Sequence, residues 1–210
     1  ISKISSNRLL DELKKLVLSN GFTKISKDEF CKEIISLIFP QLTKLDIFNN
    51  LNDYSKKIIE EKDFIFLISL MIVDGTDNDE YFIYKYNISN NDKKRIRFLS
   101  NLFYKNLKKD TFTEKNLWKI FYLEGKDHLN DLFNFKLLEN KKLDKKLIKL
   151  KEFFQTKEIP KFEIKANTLI EKYNYKEGKE LGNKLSEIEE FWIENSFKIS
   201  DKDLEKIVKN

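Results

Sequence analysis

The sequence predicts an all-α chain, and three observations predict it. Only two Pro and five Gly interrupt 210 residues, so helix breakers are scarce among abundant Leu, Ile, Phe, Lys and Glu. Apolar residues recur at helical spacing almost throughout. No segment reads as a strand.

Taken in order, Leu9, Leu10, Leu13, Leu16 and Val17 make the first apolar stripe, which ends at the C-cap signal Asn20-Gly21. Ser26 is expected to cap a second helix, with Phe30, Ile34, Ile35, Leu37 and Ile38 on its apolar face and Pro40 as its stop. A short helix is expected near 43–50, then helices near 53–61 and 63–73. The acidic stretch 74–80 (DGTDNDE) reads as a turn. A calcium loop needs Gly at its sixth position and Glu at its twelfth, and no glycine falls correctly after Asp77 or Asp79. Helices near 91–108, 114–123, 126–139 and 143–155 follow. Pro160 breaks the chain before helices near 166–173, 178–195 and 200–208. These elements divide into a body, residues 1–158, and a tail, residues 159–210.

Charge is unevenly spread along this frame. The chain carries a net +5. Residues 81–158 hold 19 basic and 10 acidic groups, a net +9, whereas the flanking stretches are slightly acidic. A basic middle is what a polyanion-binding face looks like, and equally what a solvated Lys-rich helical surface looks like. Lys93, Lys94, Arg95 and Arg97 crowd one predicted helix start, and Lys141, Lys142, Lys145 and Lys146 another. In the tail, Lys165, Lys176, Lys179 and Lys184 gather around two glycines. The single Cys31 has no disulfide partner within the chain, which fits a reducing cytoplasm. The longest apolar run, residues 64–73, is too short to span a bilayer, so no membrane partner is expected.

Catalytic patterns are missing. His128 is the only histidine and has no cysteine partner; no serine sits in a nucleophile elbow; no Gly-rich loop is present to cradle phosphate. Two-metal phosphoryl transfer needs framed carboxylates, and the nearest pair, Asp77 and Asp79, lies in the acidic turn. No catalytic residue and no metal or cofactor site is expected in this segment.

Two motifs remain. In the tail, the spacing G-x-x-x-G-x-x-L-x-x-x-E-x-x-W is filled by Gly178, Gly182, Leu185, Glu189 and Trp192, after the Leu169-Ile170 pair. At the front, ISKISSNRLLDELKKL fits S-x-E-R-[IL]-x-x-E-L through Ser5, Arg8, Leu9, Glu12 and Leu13, with Asn7 in place of the glutamate. Together these resemble the neck, body and tail of the bacterial CCA-adding enzyme and poly(A) polymerase family. Asn174 falls where that family usually has glycine, and asparagine is the next residue most tolerant of a left-handed backbone.

The resemblance implies a tRNA nucleotidyltransferase whose catalytic head is absent from this chain. The head would bring Mg2+ with CTP and ATP and add CCA to tRNA 3′ ends. This portion would hold tRNA by shape and phosphate contacts, without DNA binding, and would be inactive alone. A poly(A) polymerase of the same family, or a helical protein–protein adaptor, are the alternatives. The residues also have readings of their own. Ser5 caps a helix and Arg8 pairs with Glu12 one turn on. Gly178 and Gly182, one turn apart, permit either close helix packing or approach of a phosphate to a helix N-terminus. Trp192 lies on the apolar side with Leu185 and Ile188, a core anchor.

Overall fold

A computed structural model describes residues 5–19, 21–102, 112–140 and 143–209, and among these every regular element is helical. The chain forms two compact units. The first comprises Ile1–Thr111 and Lys126–Thr156; the second comprises Phe112–Gly125 and Lys157–Asn210. The second unit thus takes in Phe112–Gly125, a stretch set in the body by the sequence reading.

In the first unit, α1 (Ser6–Leu18) is capped by Ser5, whose hydroxyl accepts the Arg8 N–H at 3.4 Å. It buries Leu13 and Val17. Gly21 does not end this helix. It opens a short one, α2 (Gly21–Ile25), while Ser19 forms the C-cap; Asn20 lies outside the described residues. The expected cap at Ser26 is also displaced: Ser26 is buried, and Asp28 caps α3 (Glu29–Ile38) by accepting the Cys31 N–H at 3.0 Å. A carboxylate at an N-cap also meets the positive end of the helix dipole. Only Ile35 of the predicted apolar face of α3 is fully buried. Phe30 is 70% exposed and Leu37 81%, with Ile34 between them, so the expected burial of that stripe is corrected.

The predicted helix near 43–50 is one 3-10 turn, Leu45–Phe48. Asn52 caps α4 (Asp53–Glu61) and Asp63 caps α5 (Phe64–Ile72). α5 is apolar on all sides, with eight of its nine residues buried, and it packs against α1 and the Leu45–Phe48 turn. A helix that is hydrophobic all round belongs at the centre of a core.

Inside the acidic stretch, Asp74 closes a turn by accepting the Thr76 N–H at 3.0 Å. The stretch then turns helical, an element not predicted: α6 (Asn78–Lys85). α7 (Asn90–Ser100) follows and packs on both α5 and α6. The predicted continuation to 108 falls largely outside the described residues. α8 (Glu114–Glu139) is interrupted at Gly125 (φ 83°, ψ 176°), between the two helices expected near 114–123 and 126–139. A positive φ of this kind favours glycine. After Gly125, α8 buries Leu129, Leu132, Phe133 and Phe135 in the first unit, where α9 (Lys145–Gln155) adds Leu147 and Phe154.

The second unit joins the first half of α8 to α10 (Ala166–Tyr173), α11 (Lys179–Glu194) and α12 (Asp201–Lys209). Leu169, Leu181, Ile188, Leu204 and Val208 form its aliphatic core. Beside Trp192 lies an aromatic cluster. The Trp192 ring meets Phe197 at 4.9 Å, and Tyr122 and Phe162 each at 5.3 Å. Trp118 joins through Phe197 at 6.0 Å. Phe197 sits in the left-handed region (φ 62°), a cost of about 1–2 kcal/mol for such a residue. Its ring contacts and its N–H bond to the Trp192 carbonyl at 2.8 Å offset that cost.

Candidate nucleic-acid interface

The tail motif is built around the turn from α10 to α11. Asn174 ends α10 in the left-handed conformation (φ 59°, ψ 29°). Its N–H donates to the Ile170 carbonyl at 3.1 Å, and the Tyr175 N–H donates to Leu169 at 3.3 Å, closing the helix end. Asparagine therefore does here what glycine would do.

Gly178 (φ 145°, ψ −168°) occupies the N-cap of α11, a backbone conformation that L side chains rarely adopt. It has no side chain to cap the helix, and the first-turn N–H groups receive no side-chain acceptor. Gly182 stands four residues on, exposed, inside the helix. A Cβ built on either glycine meets nothing within 4 Å, so the close-packing reading is overturned. The start of α11 is instead bare backbone facing solvent.

Lys176 and Lys179 flank this helix start and are exposed; Lys165, the N-cap residue of α10, is exposed as well. Glu177 and Glu180 stand beside them. The positive potential at this turn therefore comes from the uncapped helix end more than from net side-chain charge. Lys184 has a different task. Its ammonium donates to the Ile207 carbonyl at 3.0 Å and pairs with Glu187 at 2.8 Å. With the Tyr175 hydroxyl on the Val208 carbonyl at 3.1 Å, it satisfies the last turn of α12. The bond to Glu187 holds the Lys184 ammonium above its usual range.

Other motif residues also hold the second unit together. Glu189 accepts a hydrogen bond from the Tyr122 hydroxyl. Leu185 packs against the aliphatic core, and Trp192 is buried. Glu194, outside the motif, pairs with Lys119 at 2.7 Å and Lys115 at 2.9 Å, which lower its carboxyl to about 2. In the front motif, the ion-pair partner that Glu12 touches is Lys15 at 2.9 Å, while the expected partner Arg8 acts on it through charge alone.

In the first unit, the KKRIR cluster separates by side-chain type. Arg95 reaches inward to Asp131 at 2.5 Å and Asp63 at 2.7 Å, and Lys62 meets Asp131 from another side at 2.8 Å. Asp131 is only 2% exposed. Arg97 forms a two-pronged pair with Glu80 at 2.6 and 2.7 Å. Lys93 and Lys94 have no ion-pair or hydrogen-bond partner among the described residues. Sequence spacing had no means to separate the two classes, because the carboxylates that take the arginines lie on other elements. Lys145 and Lys146 are exposed at the start of α9, and Lys141 and Lys142 lie outside the described residues.

His128 packs edge-on against Phe98 at 5.0 Å, at the rim of a polar cleft of about 430 Å³ whose walls include Asp63, Arg95 and Asp131. Among the described residues no group of three or more His, Cys, Asp or Glu side chains is placed to hold a metal ion. No described helix is long and apolar enough to cross a membrane. Compared with protein-family models and with curated proteins, the chain matches none.

Proposed function

We propose that this chain is the tRNA-holding body and tail of a CCA-adding tRNA nucleotidyltransferase, working with a catalytic head that supplies Mg2+, CTP and ATP chemistry. The observation that carries the proposal is the glycine at 182. Glycine inside an exposed helix costs about 1 kcal/mol relative to alanine. At Gly182 neither crowding nor backbone conformation demands it. The Gly182 N–H itself donates to the Gly178 carbonyl at 3.2 Å, but without a Cβ at 182 the preceding turn of this uncapped helix stays uncovered, so that a phosphate can approach the N–H groups of Lys179, Glu180 and Leu181. Lys176 and Lys179 border the same turn and are exposed, within reach of a backbone phosphate, and Lys165 is exposed at the other end of α10. Phosphate contacts position a folded RNA without reading its sequence, which suits a protein that must accept every tRNA.

The test is binding of labelled tRNA to the chain, measured by fluorescence anisotropy and competed with unlabelled nucleic acids. Other tRNAs should compete and duplex DNA should not. The chain alone, given tRNA lacking CCA, CTP, ATP and magnesium, should incorporate no nucleotide above a no-protein control. Poly(A) polymerase of the same family makes the same binding prediction and differs in the product formed once a head is supplied.

A second reading, the protein–protein adaptor, is favoured by α3. Phe30, Ile34 and Leu37 form an exposed apolar stripe at helical spacing. Absence of tRNA binding, with capture of a protein partner that is lost in Phe30→Ser/Leu37→Ser, would decide for the adaptor.

A further inference from the structure

We infer that Tyr84 is a stacking platform for an unpaired nucleotide of the bound RNA, with Lys93 and Lys94 receiving its phosphate. The inference rests on the tRNA-holding reading and adds to it a contact in the first unit.

Tyr84 is 86% exposed and is the most exposed of the large hydrophobic and aromatic side chains in the described residues. Tyr81, three residues earlier on the same side of α6, is 57% exposed. The pair between Glu80 and Arg97 fixes how α6 and α7 lie against one another. The two helices are consecutive, joined by the four residues 86–89, and pack on one another. Tyr84 stands one helical turn after Glu80, and Lys93 one turn before Arg97, both toward the connecting turn. Tyr84 and Lys93 therefore both lie one turn nearer the connecting residues than the Glu80–Arg97 pair, with Lys93 partly exposed and Lys94 exposed.

The charges around this ring are accounted for. Glu80 is taken by Arg97. Asp92 accepts the Ser89 hydroxyl at 2.7 Å within the cap of α7. Lys85 lies over the Tyr86 ring at 5.2 Å. Among the described residues, Lys93 and Lys94 are left as cations without an internal partner, at the start of the helix that follows the exposed Tyr84 ring. An aromatic ring offers stacking to any base, and adjacent ammonium groups offer charge to any phosphate, so the arrangement fits an unpaired nucleotide of any sequence.

Tyr84→Ala and Tyr84→Phe, made in the full chain, test the assignment through the affinity for labelled tRNA. Both substitutions fall on an exposed ring, and circular dichroism should show both variants folded like the parent. Tyr84→Ala should bind tRNA about fivefold or more weakly, and Tyr84→Phe should bind like the parent. Unchanged affinity in Tyr84→Ala would overturn the stacking role and leave the tRNA-holding reading intact. Equal losses in both variants would place the contact in the hydroxyl and also overturn stacking. A parent chain that binds no tRNA would overturn both.

Discussion

The Tyr122 hydroxyl donates to the Glu189 carboxylate, joining the half of α8 that precedes Gly125 to the tail motif. Burial, followed by the hydrogen bond to Glu189 and then its charge, pushes the Tyr122 hydroxyl up to about 12. An unfolded tyrosine ionises near about 10. A raised value means that the folded state keeps its proton longer. The contribution to stability is therefore complete below about pH 10 and is lost as pH rises from there toward about 12. Thermal melts of the parent and Tyr122→Phe between pH 8 and 11.5 should converge across that window. Parallel curves would contradict the assignment.

Trp192→Ala should unfold the second unit at markedly lower temperature. The ring is buried against Tyr122, Phe162 and Phe197, and such truncations cost about 3–5 kcal/mol. An unchanged melting curve with reduced tRNA affinity would show a surface stacking residue instead.

The two motif glycines should behave oppositely in the fold. Gly182→Ala should stabilise the chain by up to about 1 kcal/mol, because its Cβ meets open space within a helix. It should also weaken tRNA binding by covering the first turn of α11. Gly178→Ala should destabilise, because its φ of 145° strains any side chain. A Gly182→Ala protein that is more stable and binds tRNA equally well would remove that turn from the contact surface.

Salt dependence separates contacting lysines from structural ones. Each phosphate neutralised contributes a slope of roughly −0.7 to −0.9 on a log–log plot of affinity against salt. Replacing Lys165, Lys176 and Lys179 with Gln should flatten that slope with little change in melting. Lys184→Gln should lower the melting temperature, since it unties the end of α12. An unchanged slope in the triple variant would show that its lysines are solvated in the complex.

Asp131→Ala should destabilise the first unit by about 3–5 kcal/mol, because it leaves two part-buried cations, Lys62 and Arg95, without their shared carboxylate. Denaturant titration measures this directly, and a loss below about 1 kcal/mol would mean that water substitutes for the carboxylate.

Much of the helical frame was legible from local signals. α10 was expected at its observed limits, and the break at Gly125 was visible in the spacing on either side of it. Short elements escaped, as α2 and α6 did, because five or eight residues carry too little periodicity to register. The cap of α3 was misplaced because Ser26 and Asp28 are both good caps in sequence. The stripe of Phe30, Ile34 and Leu37 reads as core by pattern alone, and only tertiary packing shows that α3 buries a different edge. In the candidate site, Lys184, Arg95 and Arg97 were indistinguishable from free cations until their partners on distant elements came into place.

Neither compact unit is one continuous stretch, for the chain passes from one to the other after Thr111, Gly125 and Thr156. During translation, Trp118 and Tyr122 leave the ribosome well before Phe162, Trp192 and Phe197, the rings that cover them. The nascent protein thus carries uncovered aromatic surface until α11 and Phe197 are synthesised, the condition under which chaperones engage a chain. A premature stop in the tail would make that exposure permanent and turn a release error into a substrate for degradation.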